Sequence, residues 1–244
     1  MTPLLNISHR LQSLNLMIKH SYDHIWDTCC DHGYLGQTLL ARAAAKTVHF
    51  VDVVPALMQQ LQHQLSTHYP LNASQDPPPC PPKWQLHCMD ATQIKTEPHS
   101  RHLIIIAGVG GELLIELMQA LASSVQGNTE FLLCPVHHNY PVRQALIKMG
   151  FALINESLIK ENNRFYEILH VSLQAKLPIH QTGSLMWDFN RAADKQYLSR
   201  TIKHYQMKAR QANPAFKTIL RHYQAVQQST HTIPKRKIIR HSHE

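Results

Sequence analysis

Up to residue 175 the apolar positions follow two alternating rhythms. Short runs rich in β-branched and aromatic residues, at 24–29, 48–53, 85–88, 103–106 and 131–134, have the length and composition of buried strands. Between them, 36–45, 55–66, 112–123 and 141–149 carry apolar stripes at three-to-four spacing, which predicts helices with one buried face. Strand and helix in strict alternation predict an α/β fold, a mostly parallel sheet wound on both faces. After Gly150 the rhythm changes. Two β-type runs, 151–159 and 165–173, are separated only by Lys160-Glu161-Asn162-Asn163-Arg164. So short a connection permits only an antiparallel pair, because a parallel return needs a crossover of about a dozen residues. Helical periodicity returns at 188–212 and 214–228, broken at Asn213-Pro214, where Asn serves as cap and Pro as first helical residue. Leu198, Ile202, Tyr205 and Ala209 form one apolar stripe there, and Phe216, Ile219, Leu220 and Tyr223 another.

Composition refines this organisation. A chain of 244 residues, 43% of them hydrophobic, can bury a full core and leaves room for a small appendage. Charge is divided unevenly: up to Ala175 there are 11 Lys+Arg against 13 Asp+Glu, and from Lys176 onward 13 against 3. The charge and the periodicity together predict three parts: a mildly acidic body over 1–175, which suits a catalytic domain, a basic helical arm over 176–230 and a basic tail over 231–244. The basic end suits either a polyanion partner, by counterion release, or simply a solvated helix surface. Six prolines within 70–82 exclude a helix or central strand and predict a surface excursion. The five cysteines are odd in number and no apolar run approaches the roughly 18 residues of a membrane span, so the expectation is a cytoplasmic protein without a disulfide framework or membrane residence.

The richest stretch for chemistry is 26–36, Trp-Asp-Thr-Cys-Cys-Asp-His-Gly-Tyr-Leu-Gly, an acidic turn closing one apolar strand and opening a helix. Its Asp27, Asp31-His32-Gly33-Tyr34-Leu35 spacing resembles the opening signature of the tRNA (adenine-22-N1)-methyltransferase family, whose members are class I methyltransferases dependent on S-adenosylmethionine. Three further segments follow in the same order. Ile7-Ser8-His9-Arg10-Leu11-Gln12 is similar to the family's Ser-x-Arg-Leu segment, and Ile106-Ala107-Gly108-Val109-Gly110-Gly111 to its Ile-Ala-Gly-Met-Gly-Gly motif. Val142-Arg143 through Tyr166-Glu167 follows its order of Arg-bearing helix, Gly, strand and Tyr-Glu strand. The family's first glycine is Cys29 here, and its Gln-Pro-Asn after the fifth strand is Cys134-Pro135-Val136, followed by His137-His138-Asn139.

The resemblance implies a class I methyltransferase sheet closed by the antiparallel hairpin, and a site at the carboxyl edge of the strands. Asp27, Cys29 and Gly33 would line the cofactor turn. Asp52, followed by Val53, lies at the end of the second strand, where a carboxylate can accept both ribose hydroxyls of a nucleoside. Asp90, followed by Ala91, would either accept from the cofactor adenine or cap the next helix. Ala107 and Gly108 would border the cofactor, and Gly110 and Gly111 would admit the substrate base at close range or merely form a tight turn. No G-x-G-x-x-G is present, and Asp31 would repel a diphosphate, which argues for a sulfonium cofactor over a dinucleotide. For methyl transfer to adenine N1, Asp31 is the expected catalytic carboxylate, taking up the N6 proton and facing the cationic product. His32 either orients Asp31 or meets a phosphate, and Tyr34 either stacks on an extruded base or joins the core. Arg10 and the basic residues Arg200, Lys203, Lys208 and Arg210 are expected to meet tRNA. The same fold would equally serve another RNA, a small molecule, or an RNA-binding relative without catalysis. Nineteen histidines occur, yet no H-E-x-x-H or paired C-x-x-C, so no metal is expected.

Overall fold

The computed structural model describes residues 7–70, 83–211 and 213–229. The proline-rich excursion after Pro70 and the basic tail expected from the sequence lie outside the described residues. The chain divides into two compact units, Met1–Met186 and Trp187–Glu244.

The first unit opens with α1 (His9–Met17) and continues through β1 (Tyr22–Thr28), α2 (Tyr34–Ala41), β2 (Ala45–Asp52), α3 (Pro55–His68) and β3 (Lys83–Cys88). A short 3-10 turn, Ala91–Gln93, precedes β4 (Arg101–Ala107), α4 (Gly111–Ser124), β5 (Asn128–Cys134), α5 (Asn139–Lys148), β6 (Ala152–Glu161) and β7 (Arg164–Ser172). The seven strands form one sheet in the order β3-β2-β1-β4-β5-β7-β6. β1 to β5 are parallel, whereas β7 runs antiparallel to both β5 and β6. Sequence order reverses at β1, with β2 on one side and β4 on the other, and this switch point opens a crevice at the carboxyl ends of the strands.

Alternation along the strands feeds two cores. Ile25, Phe50, Leu103, Ile105 and Leu132 pack with α1, α2 and α3 side chains on one face. Their neighbours Val51, Ile104, Ile106 and Leu133 pack with α4 and α5 residues on the other. A period of two with both faces covered is what makes the strands read as nearly continuous apolar runs. Several strands begin earlier than their apolar runs, since the ladders continue through polar pairs such as Thr47↔Lys83 and Arg101↔Asn128.

Helix α1 follows from a residue pattern not anticipated above. Ser8 caps it, its hydroxyl accepting the Leu11 N–H, and Leu14 is wholly buried between partly buried Leu11 and Met17. The hairpin side is held by a buried triad: Arg143 Nε donates to Glu167 Oε2 at 2.7 Å and its Nη2 lies 2.7 Å from Glu156 Oε2. Burial alone would disfavour the Arg143 charge, but the two carboxylates outweigh it and hold its pKa above the ordinary value.

The first unit runs on to Met186 rather than ending at residue 175. Leu177 bridges to Leu153, Arg143 donates to the His180 carbonyl at 3.0 Å, and Glu156 Oε1 accepts from the N–H groups of Ser184 and Leu185. A polar stretch with little periodicity is thereby fixed to the sheet by carboxylate and backbone bonds.

In the second unit, α6 (Ala192–Lys208) and α7 (Pro214–Ser229) pack together. Tyr205 stacks on Tyr223 with ring centroids 5.9 Å apart, and Asn213 caps α7 by accepting the Ala215 N–H at 2.9 Å. Residues 188–191 form a turn instead of the predicted first helical turn. Asp188 accepts the Asn190 N–H, and buried Asp194 takes the Asp188 N–H at 2.7 Å.

Candidate functional site

The turn from β1 into α2 is built around Asp27. The residue is 5% exposed, and its Oδ2 accepts the Gly36 N–H at 2.8 Å from the first turn of α2. Gly36 has no room for a side chain: a Cβ there would lie 2.3 Å from Phe50 Cε1 and 2.9 Å from Asp27 Oδ2. The glycine thus lets strand, helix and carboxylate close on one another, a role the sequence analysis missed. Its signal is the glycine ending the 26–36 stretch, indistinguishable by sequence from an ordinary helix glycine. Burial pushes the Asp27 carboxyl up to about 7; the Gly36 N–H opposes the shift and the Asp52 charge adds to it.

Cys29 and Asp31 both adopt left-handed backbone, each at φ 51°, and Gly33 follows at φ 66°. The turn therefore demands at Cys29 a conformation that glycine adopts freely and cysteine does not. Burial, together with the charges of Asp52, Asp27 and Asp90, holds the Cys29 thiol up to about 11, so it is no nucleophile at neutral pH. Asp27 and Asp52 stand at the ends of β1 and β2, and Asp90 just beyond β3.

Asp52 links two loops, accepting the Asp31 N–H at 3.1 Å on Oδ2 and the Val54 N–H at 3.1 Å on Oδ1. Val53 beside it is exposed. Asp90 caps the 3-10 turn, accepting the Thr92 N–H at 2.8 Å, which with the Thr92 side chain lowers its pKa. Ala91 behind it is buried in the second core. Asp31 itself is exposed, 3.5 Å from His32 Nε2, and the His32 and Tyr34 rings lie 5.6 Å apart. Tyr34 is 46% exposed, which excludes the core alternative for it.

On the other side of the switch point, Ala107 ends β4 opposite Cys134, and Gly108 turns the chain at φ 88°. The Arg10 guanidinium faces Gly108, 3.5 Å from where a Cβ would stand, and also lies over the Tyr166 ring at 5.2 Å. Gly110 and Gly111 face His137 and His138 of the loop after β5. The structure therefore brings together Asp27, Cys29, Asp52 and Asp90 on one side of the crevice, and Arg10, Gly108, Gly110 and Gly111 on the other. Arg200, Lys203, Lys208 and Arg210 belong to the second unit; Arg200, Lys203 and Arg210 are exposed, and Lys208 Nζ lies over the Phe216 ring at 5.2 Å.

Residues 7–169 match the model of a family described as methyltransferase domain. The chain belongs to that methyltransferase family. Its sheet order, with one antiparallel strand next to the edge, is the family's class I arrangement. Over 66 residues the chain is 35% identical to the tRNA (adenine(22)-N(1))-methyltransferase of Bacillus subtilis (strain 168), a stretch covering 27% of this chain and 28% of that protein. The whole fold is similar to that of the B. subtilis M1A22 tRNA methyltransferase TrmK, with a TM-score of 0.68, 19% identity, and 92% of this chain and 97% of the other covered. It is also similar to M. capricolum TrmK in complex with S-adenosyl-homocysteine, with a TM-score of 0.70, 15% identity, and 91% and 98% covered. No described helix is long and apolar enough to cross a membrane.

Proposed function

We propose that this methyltransferase uses S-adenosylmethionine to methylate N1 of an adenine in the D-arm of tRNA, at the position 22 named for its relatives. The observation that carries the reading is the convergence of Asp27, Asp52 and Asp90 around the left-handed β1–α2 turn. Such a set of acceptors fits a cofactor with an ammonium group, ribose hydroxyls and an adenine amine, and it would repel a pyrophosphate. Gly33 and Gly36 let this turn close on the body of the sheet, for a Cβ at Gly33 would lie 2.8 Å from Leu61 and one at Gly36 2.3 Å from Phe50. When bound, the cofactor supplies an electrophilic methyl group.

The remaining chemistry belongs to the chain. Asp27 would hold the ammonium and Asp52 the ribose. Asp31, solvent-facing and oriented by its N–H bond to Asp52, would accept the adenine N6 proton and stabilise the cation formed at N1. Tyr34 offers a ring for the extruded base, and Arg10 a guanidinium for a phosphate near Gly108. The second unit, with its exposed Arg200, Lys203 and Arg210, would hold the RNA.

The test is labelled methyl donor with purified protein and bulk unmodified tRNA, the product nucleoside then being identified; 1-methyladenosine is expected. Asp31→Ala should retain adenosylhomocysteine binding and lose about 10²–10⁴-fold in methyl transfer, the usual worth of a positioned acid or base. An unimpaired rate in that variant would remove the mechanism.

One observation favours a second reading within the same chemistry. Where the resembled family has an amide side chain before Pro135, Cys134 is fully buried and burial holds its thiol up to about 12, while Val136 is 38% exposed. That wall offers the base an apolar side chain. A different RNA or a small-molecule acceptor is therefore the alternative, and a modified nucleoside other than 1-methyladenosine would select it.

A further inference from the structure

Glu112, at the start of α4, and His137 and His138, in the loop after β5, form the one three-donor group of His, Cys and carboxylate side chains among the described residues. One ligand atom from each lies within 4.8 Å of the others. His137 Nδ1 is 3.7 Å from Glu112 Oε2, His138 Nδ1 pairs with Glu112 Oε1, and the two imidazoles meet edge to face with centroids 4.4 Å apart. All three side chains are open to solvent, at 63%, 53% and 46% exposure, so an ion has access and free coordination positions.

The backbone preorganises these donors. Val136 N–H donates to the Val109 carbonyl at 2.9 Å and Gly108 N–H to the Cys134 carbonyl at 3.1 Å, fastening the two loops to each other. Gly111 permits the approach, for a Cβ there would lie 2.8 Å from the His137 carbonyl oxygen and 2.8 Å from His138 Cβ. His138 is held in left-handed backbone at φ 62°, a conformation that carries a cost for a non-glycine residue and that aims its ring back toward Glu112. Two imidazoles and one carboxylate are a donor set for divalent transition ions of the zinc type, and with the ligand atoms already within 4.8 Å of one another, rotation of these exposed side chains brings all three to metal–ligand bonds of about 2 Å.

We infer that Glu112, His137 and His138 bind one divalent transition-metal ion of the zinc class, clamping the α4 and α5 ends beside the Gly108–Gly111 turn. The ligands come from two successive βα units and match no linear spacing motif, which is why the expectation of no metal followed from the sequence.

The test uses the untagged 244-residue chain, stripped with chelator, and measures Zn²⁺ uptake by calorimetry and Co²⁺ uptake by its visible d–d absorption. One ion per chain is expected at this site. Glu112→Gln, His137→Ala and His138→Ala should each weaken uptake by at least about tenfold, since even groups supporting a ligand are worth that much. Thermal melts without metal verify that each variant folds, and the isosteric Glu112→Gln tests the site with least disturbance. Absence of uptake by the wild-type chain overturns the inference, as does uptake unchanged in all three variants, which would put the ion on other histidines. Ion uptake is read without methyl transfer, so this result and that of the proposed function are separable.

Discussion

Two residues of the β1–α2 turn carry measurable consequences. Cys29 at φ 51° bears a left-handed penalty of about 1–2 kcal/mol for a non-glycine residue, while glycine would lose about 0.5–1 kcal/mol more chain entropy on folding. Cys29→Gly should therefore raise stability by about 0.5–1 kcal/mol, visible as a higher urea midpoint, and a lower midpoint would contradict the strain. Asp27 has its carboxyl held up to about 7 without ligand, and a cationic cofactor should draw it into the ionised form. Between roughly pH 4 and 7 cofactor binding should thus release up to about one proton and tighten as pH rises. Calorimetry in buffers of different ionisation enthalpy would detect the proton; identical heats would exclude the linkage. That Asp27, Asp52 and Asp90 lie at or just past strand ends was legible, because carboxylates after apolar runs stand out in sequence. Gly36, and the meeting of Arg10 with Gly108, were not, because both depend on which distant atoms lie within 4 Å.

At the level of elements, the helices and strands of the sheet were legible from periodicity alone, and the short polar connection before Arg164 correctly implied the antiparallel β6–β7 pair. α1 was not, being a short helix whose evidence is a serine cap and a few leucines. Nor was a histidine ladder crossing four adjacent strands. His49 of β2 hydrogen bonds through Nε2 to His24 Nδ1 of β1 and through Nδ1 to His87 Nε2 of β3, both at 3.0 Å. On β4, the two nitrogens of His102 face N–H groups, Trp26 Nε1–H at 3.2 Å and the Glu97 backbone N–H at 3.1 Å; a neutral imidazole accepts only one of them, and a second ring proton would leave neither bond. Burial first, then the neighbouring His87, His24 and His102, lower His49 to about 3. Glu97, whose Oε2 is 3.9 Å from His24 Nε2, and Asp23, which with Glu97 opposes the lowering at His102, are carboxylates facing this group. A lowered histidine stabilises the fold above the unfolded pKa near 6.5, and that contribution disappears as pH falls from about 6.5 toward 3. His49 alone should cost about 2 kcal/mol of stability at pH 5, at about 1.36 kcal/mol per pH unit. Urea midpoints at pH 7 and pH 5 should differ less in His49→Gln than in the wild type; an equal difference would exclude the ladder as the cause.

For the whole molecule, the uneven charge is the sequence feature with the clearest physical reading: the body carries 11 basic against 13 acidic residues, and the stretch from Lys176 onward 13 against 3. If the exposed Arg200, Lys203 and Arg210 meet phosphates, replacing all three by Gln should flatten the dependence of log affinity on log salt, by about 0.7–0.9 per lost contact. An unchanged slope would assign RNA contacts to other residues. α1 has a different consequence, one of timing. Arg10, near the start of the chain, has its N–H anchored to Glu161 across 151 residues and its guanidinium resting on Tyr166. As the polypeptide leaves the ribosome, α1 can dock on α2, where Arg42 bonds Asn15 and the Ile18 carbonyl, but Arg10 finds Glu161 and Tyr166 only once the hairpin has emerged. A nascent chain stalled before β7 would already hold the acidic turn and still lack the arginine opposite it.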